Sequence, residues 1–201
     1  MAQQCTESRD RDRMDMERLA AGQDAALNDL MERHSAGIFR FLFRMVGNED
    51  DANDLAQETF IRVFRASSRF QPEKKFSTWL YTIAANLGRS HLRWRNRHPH
   101  IALETQTGSE QTLEDILPSK DALPNETLLA SERVAAVRAA VNRLPPYLRE
   151  ALVLCEWEEC SSAEAASILA TTPKAVESRL YRARKILGQQ LKRWVLTSID
   201  G

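Results

Sequence analysis

A chain of 201 residues with 43% hydrophobic side chains and only seven glycines and seven prolines can bury a core, which excludes a disordered or strand-and-turn-rich protein. Its 28 basic and 28 acidic residues cancel, excluding a polybasic coat and leaving local charge as the informative quantity. Cys5, Cys155 and Cys160 are too few for a disulfide framework or a structural zinc site, no apolar run approaches the roughly 20 residues that cross a bilayer, and the start CTESRDRDRMD lacks a signal peptide's apolar segment. A protein of the reducing cytoplasm, without membrane insertion, is expected.

Residues 1 to 14 alternate acids and arginines without periodicity, as a solvated tail does. From Ala25 to Val46, Leu27, Leu30, Met31, His34, Ile38, Phe41, Leu42 and Met45 recur at spacings of three and four, which predicts an amphipathic helix stopped by Gly47 and Asn48. The next helix, about Asp50 to Arg69, packs through Ala52, Leu55, Ala56, Thr59, Phe60 and Val63 and turns Asp54, Gln57, Glu58, Ile61 and Arg65 outward. An outward isoleucine is either ordinary surface or the apolar centre of a polar-rimmed docking patch.

After a loop at Gln71 to Lys75, with Ser77 as the expected cap, the stretch FSTWLYTIAANLGRSHLRWRNRH winds Phe76, Leu80, Ile83, Leu87 and Trp94 onto one stripe. Thr78, Thr82, Asn86, Arg89 and Arg93 fall on another. Between Arg65 and Arg97 eight basic residues face the single acid Glu73. The polar stripe is either a solvated helix face or a nucleic-acid contact, in which amides and hydroxyls read base edges while arginines hold phosphates.

Residues 98 to 125 lose the periodicity and turn acidic, which marks a linker; His98 and His100 there lack neighbours at metal-ligand spacing. Helices return at about Glu126 to Arg143 and Tyr147 to Trp157, separated by Leu144, Pro145 and Pro146, with Cys155 expected in the core. Ser161 and Glu164 form a capping box that opens a short helix, and Thr171, Thr172 and Pro173 turn the chain into a last helix. Val176, Leu180, Ala183, Leu187 and Leu191 make its packing stripe, whereas Lys174, Ser178, Tyr181, Arg182 and Lys185 face away with Glu177 on the flank. Basic residues outnumber acids seven to one between Lys174 and Arg193, so the pair reads as a DNA-binding helix-turn-helix or, alternatively, as an ordinary helical hairpin. No nucleophile and base pair, metal cluster or phosphate-binding glycine loop is present, so no catalytic residue, cofactor, metal or small-molecule substrate is expected.

Four motifs in order, DANDLAQETFIRVFR, FSTWLYTIAANLGRSHLR, LPPYLREALVL and AVESRLYRARKIL, resemble the signatures of bacterial RNA polymerase sigma factors of the extracytoplasmic-function (ECF) type. The resemblance implies an all-α protein of two small helical domains, residues 15–98 (region 2) and 126–194 (region 4), joined by a flexible linker at 99–125. It implies core RNA polymerase and promoter DNA as partners and allows an anti-sigma factor. Carried onto this chain, Asp54, Gln57, Glu58, Phe60 and Ile61 fall in the polymerase-docking motif. Lys74, Lys75, Phe76 and Asn86, with Arg89 and Arg93, fall in or beside the site for a flipped minus-10 base. Glu177, Ser178, Tyr181 and Arg182, flanked by Lys174 and Lys185, match the minus-35 readers. Glu159 and Cys160 replace a usual glycine and aliphatic residue, Ser162 replaces a common aromatic, and Glu177 stands where many relatives carry a base. No long extension follows Trp194, so no appended regulatory domain is expected. A free-standing helix-turn-helix regulator would leave the Ile61 patch unexplained, and a helical adaptor would leave both basic helices so.

Overall fold

The computed structural model describes the backbone of residues 2–98 and 124–199 and the side chains of residues 9–98 and 133–192. All but the last two residues of the expected linker, His100 included, lie outside the described residues, as does Cys5's side chain. Among the described residues the regular elements are helices: α1 (Ala2–Ala20), α2 (Ala26–Val46), α3 (Glu49–Arg65), a 3-10 turn (Ser67–Arg69), α4 (Phe76–Arg97), α5 (Pro124–Asn142), α6 (Pro146–Glu156), α7 (Ser162–Ile168) and α8 (Pro173–Ile199).

The N-terminal stretch is not a solvated tail. It winds into α1, which buries Asp12, Asp15, Met16 and Leu19 against α2. Arg33 Nε donates to Asp12 Oδ1 at 3.1 Å and Arg33 Nη2 to Asp15 Oδ2 at 2.5 Å, while the His34 ring lies 2.9 Å from Asp12. The helical spacing is present, but half of the inward positions are acids paired with Arg33 and His34 of α2, so an apolar stripe does not reveal it.

Chain chemistry sets the remaining boundaries. Gly47, at φ +76°, ends α2 by returning its N–H to the Phe43 carbonyl at 2.8 Å. A Cβ there would lie 3.0 Å from Asn142, so glycine also permits the approach of α5. Asn48 caps α3 by accepting from the Asp51 N–H at 2.9 Å, and three acids occupy the first turn. α3 stops at Arg65, four residues before the expected end. At α4 the N-cap position belongs to Lys75, without a side-chain cap, and Ser77, the expected cap, lies inside the first turn. The capping box of α7 forms as expected: Glu164 N–H donates to Ser161 Oγ at 3.2 Å and Ser161 N–H to Glu164 Oε2 at 3.0 Å. Glu159, in the place of a usual glycine, holds φ +51°, a left-handed conformation that costs a side-chain-bearing residue about 1 kcal/mol.

The two halves touch. α2 packs on α5 and α6, α4 packs on α6 and α7, and the buried apolar residues of both halves form one continuous cluster. Arg149 is central to the junction: its guanidinium is buried, donates to the Met45 carbonyl at the end of α2, and also reaches the carbonyls of Asn142 and Leu144. Burial lowers its pKa from the ordinary arginine value, and the nearby Arg95 adds to that.

Candidate nucleic-acid interface

On α4 the proposed minus-10 residues separate into surface and core. Lys74 is exposed, and Asn86 and Arg93 project outward along one face. Arg89 Nη2 donates to Asn86 Oδ1 at 2.6 Å and Arg93 Nη2 to Ser90 Oγ at 3.3 Å, so amide and guanidinium groups form a continuous polar edge. Phe76 is only 2% exposed. Its ring meets His34 edge-on at 5.2 Å and Phe70 at 6.0 Å, beneath the loop rather than on it. It therefore supports Lys74 and Lys75 and is not itself a surface contact: the first residue of an amphipathic helix points inward here. The reverse holds for Trp94, expected on the packing stripe but 42% exposed, with its ring stacked on His98 at 5.1 Å. Trp94 stands five full turns after Phe76 and so at the same angle; it is exposed because the buried stretch of α4 ends at Gly88.

The cations at both ends of this edge meet carboxylates of the second half. Lys75 Nζ donates to Glu164 Oε1 at 2.9 Å, and Arg89 Nε faces Glu150 Oε2 at 3.6 Å. The hydrogen bond from Lys75, followed by that from the Ser161 N–H, holds the Glu164 pKa down at about 2. Burial raises the pKa of Glu150, partly offset by Arg89 and Arg179.

On α8 all six proposed minus-35 residues lie on the exposed side: Lys174, Glu177, Ser178, Tyr181, Arg182 and Lys185. Tyr181 is 69% exposed, while Val176, Leu180 and Ala183 are buried opposite. The helix start is set by Thr172, whose Oγ1 accepts from the Ala175 N–H at 3.2 Å. Arg184 bonds Glu156 of α6, at 3.1 Å from Nε, and so is not the partner of Glu177. Leu187 and Leu191 are only partly buried.

On α3, Asp54, Gln57 and Ile61 face outward, and Glu58 accepts from Arg62 Nε at 2.8 Å. Phe60 is 3% exposed and belongs to the core beneath the patch. Phe64 takes its place at the surface: it is 42% exposed, as is Ile61 one turn earlier. The sequence carries that signal, because Gln57, Ile61 and Phe64 share one face at spacings of four and three.

Among the described residues no group of three or more His, Cys, Asp or Glu could hold a metal ion, and no helix is long and apolar enough to cross a membrane. Cys155 and Cys160 are both partly buried, and desolvation pushes the Cys160 thiol up to about 12, away from thiolate reactivity.

Known proteins show the same organisation. Residues 30–98 match the Sigma-70 region 2 family and residues 135–187 the Sigma-70 region 4 family. The chain is 36% identical over 175 residues to the ECF RNA polymerase sigma factor SigE of Mycolicibacterium smegmatis, covering 86% of this chain and 65% of that protein. It is 31% identical to the RNA polymerase sigma-H factor of Pseudomonas aeruginosa, covering 92% and 96%, and 30% identical to the ECF sigma factor SigW of Bacillus subtilis, covering 85% and 91%. Among solved structures, CnrH in complex with the cytosolic domain of CnrY aligns with a TM-score of 0.65 at 26% identity, over 91% of this chain and 98% of that one. RpoE of Bartonella quintana, solved with the anti-sigma factor NepR, shares the fold with a TM-score of 0.60 at 23% identity, over 82% and 96%. With two Sigma-70 regions spanning more than half of its length in the expected order, this chain belongs to the ECF sigma factors, transcription initiation factors that direct RNA polymerase to promoters.

Proposed function

We propose that the chain docks on core polymerase through Asp54, Gln57, Glu58, Ile61 and Phe64, holds a minus-10 strand with Lys74, Lys75, Asn86, Arg89 and Arg93, and reads a minus-35 element with Lys174, Glu177, Ser178, Tyr181, Arg182 and Lys185. The domain limits proposed are 15–98 and 126–194, the first extended by α1. The observation that carries this reading is the presence in one chain of polar, cation-rich faces on α4 and α8 together with an exposed apolar pair on α3. Each face alone neutralises few phosphates, so specific binding needs both, arrayed on the polymerase. The protein is proposed to act in the cytoplasm, without catalysis of its own. The likeness to CnrH, solved with a domain of CnrY, supports a regulatory protein partner, for which an anti-sigma factor is the natural class.

Run-off transcription on a promoter library tests the reading, with transcripts expected only when chain and core polymerase are combined. In that assay Asn86→Ala should lower open-complex formation about tenfold, the value of one base-edge contact, while recruitment to closed complexes changes little. A pre-melted template should recover part of the loss. Equal defects in both steps would remove Asn86 from the melting site.

Glu177 decides a second point. Near the start of a recognition helix a carboxylate can accept from a cytosine amino group, and a good base contact is worth about 1 to 3 kcal/mol of discrimination. With Arg184 bonded to Glu156, Lys174 is the remaining candidate of the two for an intrahelical pairing of Glu177. Glu177→Arg should therefore change the preferred base at one minus-35 position and leave the minus-10 preference intact. A uniform gain in binding to all sequences, through added phosphate attraction, would eliminate the base-reading role.

A further inference from the structure

The outer end of α4 carries more than cations. Past Gly88, where burial of this helix ends, the rings of His91, Trp94 and His98 follow one another: His91 and Trp94 lie 6.3 Å apart and tilted, and Trp94 and His98 stack at 5.1 Å with 28° between their planes. The stack is aligned from its own backbone, because the Trp94 carbonyl accepts from the His98 amide at 3.1 Å and lies 2.9 Å from His98 Nδ1. His91 is held in turn by Asp51, 3.2 Å from its Nε2. Trp94 nonetheless keeps 42% of its surface in solvent. Arg97, one turn further on, donates from Nε to the Arg93 carbonyl at 3.3 Å, and both arginines are exposed beside the indole, whereas Arg95 turns away to the Val46 carbonyl at 3.4 Å. No acid occurs anywhere along α4.

We propose that Trp94, braced by His98, is a stacking platform for an unpaired base of the promoter strand, next to the site at Asn86 but separate from it. This rests on the assignment of Asn86, Arg89 and Arg93 to that strand. A lone exposed tryptophan is ordinary surface. One that is backed by a second ring, aligned through its own carbonyl and bordered by two guanidiniums has both components that single-strand binders combine, a π-face for the base and cations for the adjoining backbone. Position supports the same occupant. Trp94 lies eight residues beyond Asn86, about 12 Å along the helix axis, and the exposed Ser90 and Arg93 occupy the interval. A strand whose extruded base bonds Asn86 therefore carries its backbone past Arg93 and Arg97 and brings a further base onto the indole. A duplex offers no such face, since its bases already stack on one another, so the platform favours melted over paired DNA. Every base has a π-face, so Trp94 adds affinity without adding sequence preference.

The test uses holoenzyme reconstituted from the full chain and core polymerase, with binding of a fluorescein-labelled, pre-melted promoter fragment read by anisotropy. Trp94→Ala should weaken binding about tenfold, within the range for one base stacked on an aromatic side chain, and Trp94→Phe, which keeps a ring, should lose about threefold or less. An abasic nucleotide stepped along each melted strand locates the base. At one position it should weaken the parent about tenfold and the Trp94→Ala variant hardly at all, and that position should show no preference among the four bases. Affinity for the fully paired fragment should stay within about twofold of the parent, and unchanged thermal unfolding shows that the variants are folded. An equal loss on paired and pre-melted fragments, or an abasic scan with no position whose penalty disappears in Trp94→Ala, overturns the platform. So does weaker competition of Trp94→Ala for core polymerase, which would make the ring a protein contact. Asn86→Ala separates the possible failures: if it still slows promoter opening while Trp94→Ala is silent, only the platform falls, whereas a chain insensitive at both residues loses the minus-10 assignment itself.

Discussion

Phe76→Ala should destabilise the first half by about 3 to 5 kcal/mol, the usual result of truncating a buried phenylalanine. The ring is closed in by His34 and Phe70 at the base of the loop that presents Lys74 and Lys75, so its removal opens a cavity between α2, α4 and the segment that follows the 3-10 turn. Thermal unfolding followed by circular dichroism should show a midpoint lower by roughly 10 °C for a chain of this size. Promoter activity should fall as a consequence, with the loss recovered at low temperature. A midpoint within about 2 °C of the parent, with promoter binding nevertheless lost, would return Phe76 to the DNA surface.

Ile61→Glu should leave stability within about 0.5 kcal/mol, because the side chain already faces solvent. It should weaken association with core polymerase about 30-fold, corresponding to the roughly 2 kcal/mol of a hot-spot side chain at an interface centre. Phe64→Ala should act in the same direction, whereas Phe60→Ala should chiefly reduce stability. Competition between parent and variant for a limited amount of core polymerase measures the first effect. Equal competition would remove the α3 patch from polymerase docking.

Much of the fold is legible in the chain because the strongest signals are local. The period of α2, the capping box at Ser161 and Glu164, the stop at Gly47 and the Thr172–Pro173 entry into α8 each depend on residues within a few positions of one another. α1 escaped because its inward face is half acidic, and those acids are tolerable inside because Arg33 and His34 of another helix, with Arg18 of α1 itself, pair with them. The same limit explains Phe60 and Phe76. Both lie in motifs associated with binding, but whether an aromatic ring meets a partner or the core depends on how the helix is rolled against its neighbours.

By itself the sequence determined the helical class, the separation into two units with an acidic stretch between them, and the residue types on the α3, α4 and α8 faces, because periodicity, capping and charge are written along one segment at a time. Only the tertiary structure decided that Phe60 and Phe76 are supports, that Phe64 and Trp94 are exposed, and that Glu150, Glu158 and Glu164 meet Arg89, Arg44 and Lys75 across the junction. Those pairs join residues 61 to 114 positions apart. Such contacts arise when apolar faces of separate helices bury one another and bring distant charges together, and no local pattern records which charges will meet.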